Sequence, residues 1–117
     1  MDKNIKKEGK TFFPTNKNYT KNSVTLQEIK QLNFWNFMSN IGAELDKKKS
    51  SKYGKLFKYN NYKFWVRFDY NTSNYIYTNL TTTGDNGTLI DFIQNHIINE
   101  KNLGKVKKYI SQNYHLF

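Results

Sequence analysis

The apolar positions fall into two periods. Leu26, Ile29, Leu32, Phe34, Phe37, Met38 and Ile41 recur at helical spacing. Thr25-Leu-Gln-Glu28 opens this stretch with a capping-box pattern, in which the Thr hydroxyl accepts from the amide three residues on and Glu28 reaches back. Asn33 offers a break that would divide the segment into two short helices, and Gly42 suits a C-cap. After the polar run Asp46–Lys52 the period changes to two. Lys55–Tyr59, the pair Asn60-Asn61 and Tyr62–Asp69 read as a β-hairpin, since Asn tolerates the positive φ of a tight turn. Asn71-Thr-Ser73 makes a second turn and Tyr75–Leu80 a third strand. Thr81–Gly87 is a turn-rich link, after which Thr88, with Asp91 three residues on, caps a helix carrying Leu89, Ile90, Phe92, Ile93, Ile97 and Ile98. Leu103, Val106 and Ile110 mark a final amphipathic helix. The expected fold class is α+β: a three-stranded antiparallel β-meander with an N-terminal helical segment and two C-terminal helices. Met1–Asn22 holds six lysines and the sole proline, Pro14, and shows neither period. It is expected to be a flexible basic arm, leaving residues 23–117 as a single domain.

Alternation along the hairpin separates two faces. In the middle strand Tyr62, Phe64, Val66, Phe68 and Tyr70 point one way, and Lys63, Trp65, Arg67 and Asp69 the other. The two-residue turn sets Phe57 against Phe64 and Lys58 against Lys63. Closing the second loop over three residues, with Tyr70 against Asn74, sets Arg67 against Tyr77. The second face then collects Lys58, Lys63, Trp65, Arg67, Tyr75, Tyr77 and Asn79. Cations interleaved with aromatics suit single-stranded nucleic acid: bases stack on rings and cations follow the backbone. The competing expectation is that helices cover both faces, with Trp65 and the tyrosines as outer core.

Composition sharpens this picture. The 117 residues include 19 Lys+Arg against 9 Asp+Glu, a net charge of +10 that attracts polyanions. Lys47, Lys48, Lys49 and Lys52 form the densest basic run, suited either to phosphate or to a solvated loop. Lysine outnumbers arginine 18 to one beside 17 Asn and 9 Tyr, a bias toward A/T-rich codons that discounts the charge argument. An aromatic content of 17% argues against full disorder. With no Cys, disulfides, thiolate-bound metal and a Cys nucleophile are excluded. No apolar run is long enough to span a bilayer and the lysine-bearing N-terminus lacks a signal-peptide core, so a cytoplasmic location is expected.

Catalytic candidates are few. His96 and His115 have no acidic or nucleophilic partner at a readable spacing, and read as ordinary histidines. Asp91 reads as a first-turn residue favoured by the helix dipole. Thr81-Thr-Thr-Gly-Asp-Asn-Gly87 loosely resembles a phosphate-cradling loop, but it lacks the lysine and glycine spacing of a P-loop, and Asp85 would repel phosphate. A turn and cap is the expectation there. No catalytic residue, cofactor or metal site is expected.

Asn86-Gly-Thr-Leu-Ile-Asp-Phe-Ile93 after an aromatic strand, followed by Leu103-Gly-Lys-Val-Lys-Lys-Tyr-Ile110, resembles the end of the bacterial primase-type zinc-binding domain. Ile41–Ser51 is similar to the entry segment of its zinc-less relatives, which precede Toprim-like domains in mobilisation and replication proteins of mobile elements. The resemblance spans Phe34 to Ile110. Leu80–Thr83, where the second ligand pair would fall, has neither Cys nor His, so the resemblance implies a zinc-less form held by apolar packing. It implies a stand-alone DNA-associated module and does not extend to primase activity.

The leading expectation is a non-catalytic module of a mobile genetic element that binds single-stranded nucleic acid, or a protein that handles it. The alternative is a phage- or plasmid-encoded inhibitor that binds a host defence or replication enzyme.

Overall fold

The computed structural model describes residues 23–117, so the expected arm over 1–22 lies outside the described residues. Two short helices come first, α1 (Leu26–Lys30) and α2 (Phe34–Asn40). The Thr25 hydroxyl accepts from the Glu28 amide at 3.1 Å and the Glu28 carboxylate accepts from the Thr25 amide at 3.0 Å, which closes the capping box. Asn33 starts the second helix by accepting from the Asn36 amide at 3.0 Å. Gly42 ends it at φ +94°, with its own amide donating to Ser39 and that of Ala43 to Met38. That double bond is the Schellman arrangement, and the positive φ is why glycine stands there.

Five antiparallel strands follow in sequence order across one sheet: β1 (Glu44–Asp46), β2 (Gly54–Tyr59), β3 (Tyr62–Asp69), β4 (Asn74–Asn79) and β5 (Asn86–Gly87). The fold is α+β. Its sheet has five strands, where three were expected, because two short edge strands flank the central three. A run of three or two residues shows no alternation, so neither edge is visible as a period. Asn60 and Asn61 both take positive φ, 50° and 67°, as a type I′ turn requires. Lys58↔Lys63 and Phe57↔Phe64 pair as the two-residue turn dictates.

The second loop closes differently. Asp69 pairs with Asn74 across four residues, not Tyr70 with Asn74 across three. The Asp69 carboxylate folds the chain back by accepting from the Asn71 amide (3.1 Å) and the Thr72 hydroxyl (3.0 Å), and Ser73 completes the turn at φ 56°. The resulting register sets Val66 against Tyr77, Arg67 against Ile76 and Phe68 against Tyr75. A one-residue slip sends every side chain of a strand to the other face. Tyr75, Tyr77 and Asn79 therefore lie on the inner face.

That inner face carries the core. Phe57, Phe64, Val66 and Tyr77 pack with Phe34, Phe37, Met38, Phe92, Ile93, Val106 and Ile110 from the helices. The C-terminal helices are α3 (Leu89–Phe92), which widens into a π-helical turn over Ile93–Ile97, and α4 (Leu103–Gln112). The Asp91 carboxylate accepts from the Thr88 amide at 2.8 Å to start α3. Trp35 ties α2 to the sheet by donating to the Val66 carbonyl at 2.8 Å. Phe117 stacks on Phe37, centroids 4.5 Å apart, closing the helical side. Among the described residues no helix is long and apolar enough to cross a membrane.

Candidate nucleic-acid interface

Directly opposed residues share a face, so the register fixes the outer one row by row. Glu44, Lys58 and Lys63 form one row; Asp46, Leu56, Trp65, Thr78 and Asn86 the next; then Gly54, Arg67 and Ile76; then Asp69 and Asn74. The helical core residues pack with the opposite face, and Lys58, Lys63, Arg67 and Thr78 are exposed. The outer face is partly covered among the described residues: Leu56 is buried, and Trp65 and Ile76 are half-buried.

Trp65 sits at its centre, half-buried. Its six-membered ring lies against the Gly54 backbone: a Cβ built at Gly54 would stand 2.3 Å from the Trp65 Cζ2. Gly54 is therefore required by contact, and its absent side chain makes a seat for the indole. Leu56, directly across from Trp65, is only 5% exposed, on the strand against which the Lys47–Lys49 turn packs. Lys63 and Arg67 stand two residues either side of Trp65, about 13 Å apart at the rise of a strand.

Three carboxylates share this face, and two are occupied locally. Asp46 accepts from the Lys49 amide at 3.2 Å, and Asp69 holds the turn described above. Glu44 is exposed and faces Lys58 across the ladder. Among the described residues neither Lys63 nor Arg67 forms an ion pair.

Of the residues expected at the site, Lys58, Lys63, Trp65 and Arg67 come together as the alternation required. Tyr75 and Tyr77 do not join them. Tyr77 is fully buried on the inner face, and Tyr75 packs edge-on to Trp35 with centroids 5.2 Å apart. Burial raises the pKa of both hydroxyls. The second loop is the cause: the slip in β4 replaces the expected Tyr75, Tyr77 and Asn79 on the outer face with Ile76 and Thr78. Lys47, Lys48 and Lys49 form an exposed single 3₁₀ turn. This turn and Lys52, whose Nζ lies 5.1 Å from the Tyr53 ring centroid, belong to the loop that enters β2 at the Gly54–Arg67 end. Ser50 anchors the loop, accepting from the Leu56 amide at 3.0 Å and donating to the Asp46 carbonyl at 2.6 Å.

A second polar constellation was not visible in the sequence. Asp85 accepts from the Tyr77 hydroxyl, from Asn79 Nδ2 at 2.9 Å and from His96 Nε2 at 2.5 Å. Asn95 Nδ2 donates to the same Tyr77 hydroxyl at 3.2 Å. Burial pushes the Asp85 carboxyl up. The three donors and the electrostatic attraction of His96 outweigh it and hold the pKa below the ordinary aspartate range. Burial, then the bond to Asp85, raises that of Tyr77. His96 is brought in by the π-helical turn and packs edge-on to Phe64, centroids 4.9 Å apart. The Asn79 side chain also accepts from the Thr81 and Thr82 amides, and the Thr81 hydroxyl accepts from the Lys63 amide. The cluster thus fastens the 80–85 turn to β3 beside the outer face. The spacing that would have revealed it is Tyr77–Asp85–His96, legible only once Tyr77 is known to face inward.

Among the described residues no group of three His, Cys, Asp or Glu is placed to hold a metal ion. No family model, curated protein or solved structure matches this chain.

Proposed function

We propose that the protein is a non-catalytic module that binds single-stranded nucleic acid on the outer face of its sheet. The observation that carries this reading is Trp65, half-buried on its Gly54 seat, with the exposed cations Lys63 and Arg67 on either side. A base stacked on the indole would place its flanking phosphates toward those cations, and the Lys47–Lys49 turn extends the basic track at the Arg67 end. With Tyr75 and Tyr77 turned inward, the face stacks one base through Trp65, so affinity rests on one ring and the surrounding charge. The module is proposed to serve a mobile element, as the likeness to the primase-type domain suggests.

The test is binding of a fluorescent oligothymidylate as a function of salt. Each phosphate contact contributes a log–log slope of about −0.7, so Lys63→Gln with Arg67→Gln is expected to flatten the slope by about 1.4. An unchanged slope, or no binding at low salt, overturns the proposal.

A second reading, an inhibitor that binds a protein, draws on an apolar cleft of about 180 Å³ lined by Leu26, Ile29, Leu32, Tyr75, Leu89 and Ile90. Leu26 is 45% exposed at its rim. That reading expects Leu26→Asp to abolish capture of the partner while leaving DNA binding intact.

A further inference from the structure

We infer that α4 carries a second phosphate-binding surface, so that one copy of the protein holds two nucleic-acid strands at once. This rests on the outer-face reading above and adds a distinct site to it.

The helix reads LGKVKKYISQ, with three lysines and no acid. Val106 and Ile110 are fully buried in the core. At about 100° per residue, Lys105 and Lys108 fall on the opposite side, in line with Gln112 at the end of the helix. All three are exposed. Helix stability does not explain this placement. The first turn of a helix favours acids, yet the first turn of α4 has none and Lys105 stands there. Lys105 and Lys108 are three apart, a spacing at which like charges repel. Among the described residues the counter-charge is Glu100, which approaches Lys105 at 3.4 Å with both side chains well exposed, a geometry that neutralises little. A lysine stripe set against the local preferences of its helix is what a polyanion partner requires, and a phosphodiester backbone is the occupant whose charge fits.

Its position gives the second strand. The core lies on the inner face of the sheet, and α4 turns its buried side toward that core. The stripe therefore faces away from the sheet, on the side of the molecule opposite Trp65. A helix and a sheet separate the two surfaces by roughly 20 Å, more than two Debye lengths at physiological salt. A short oligonucleotide on one surface leaves the other free.

The experiment mixes donor- and acceptor-labelled oligothymidylates of about eight nucleotides, within the span of one small binding site, with the full chain. Energy transfer reports two strands on one particle, light scattering counts protein copies, and anisotropy of a single labelled oligonucleotide reports the first site. The expected result is transfer within complexes of one protein copy. Lys105→Gln with Lys108→Gln, both exposed, is expected to abolish transfer while changing single-oligonucleotide affinity less than about twofold. Transfer found only in complexes of two protein copies, or equal transfer with the variant, overturns the second surface. Anisotropic binding without transfer in the native protein overturns it too and leaves the outer-face reading standing. Absence of binding in all formats overturns both.

Discussion

Replacing Asp85 with Ala removes the one acceptor on which Tyr77, Asn79 and His96 converge. Tyr77 is fully buried and Asn79 is 4% exposed, so water replaces the lost carboxylate poorly at either. The Tyr77 oxygen would still accept from Asn95, and Asn79 Oδ1 would keep its two backbone donors. The Tyr77 hydroxyl and Asn79 Nδ2 are then left without acceptors, each at a cost of about 1–3 kcal/mol, and His96 loses its partner as well. The Asp85 side chain is 14% exposed, which admits some solvent, so the sum is expected near the lower end, about 3 kcal/mol. Asp85→Asn keeps one acceptor oxygen for these donors. Its expected cost is about 1–2 kcal/mol. Tyr77→Phe should cost about 1 kcal/mol, and in combination with Asp85→Ala less than the sum, because the orphaned hydroxyl is gone. Urea unfolding of the four proteins measures all of these. An Asp85→Ala cost below about 0.5 kcal/mol, or strict additivity with Tyr77→Phe, would refute the role of Asp85 as the clasp of the 80–85 turn.

Other outcomes follow from the same geometry. The folded Asp85 carboxyl titrates below its unfolded range, so its contribution is complete above about pH 4 and lost as pH falls through the folded value. Asp85→Asn should therefore lose less stability than the native protein between about pH 5 and pH 2, and parallel curves would contradict this. Gly54→Ala puts a methyl 2.3 Å from an indole carbon. It should cost about 1–3 kcal/mol and shift tryptophan emission as Trp65 leaves its seat; unchanged stability and emission would argue against that contact. Neutralising Lys47, Lys48, Lys49 and Lys52 to Gln should flatten the salt dependence of DNA binding, and an unaltered slope would leave the run as a solvated loop.

What the sequence disclosed, and what it hid, has a physical pattern. Local chemistry was legible: the Thr25–Glu28 box, the Asn33 break, the Gly42 cap, the Asn60-Asn61 turn and the Thr88–Asp91 start are each decided within a few residues. The placement of Lys58, Lys63, Trp65 and Arg67 followed because a two-residue turn fixes register without reference to the rest of the chain. The Tyr70–Ser73 loop was not fixed in this way. A three-residue and a four-residue closure both fit its composition, and the choice rests on the Asp69 carboxylate and on burial of Tyr77. That single residue of slip moved two aromatics from the expected site into the core and concealed the Asp85 cluster, whose members are held together only by tertiary packing.

Trp65 is the proposed stacking ring, and Trp65→Ala tests it with unfolding free energy and DNA affinity measured on the same protein. A fully buried Trp costs about 3–5 kcal/mol on truncation; half-burial over Gly54 should bring this to about 2 kcal/mol and leave the protein folded. Affinity for single-stranded DNA should fall by about 1–3 kcal/mol, the size of one stacked base. A folded Trp65→Ala protein that binds single-stranded DNA as tightly as the native chain would contradict the central claim.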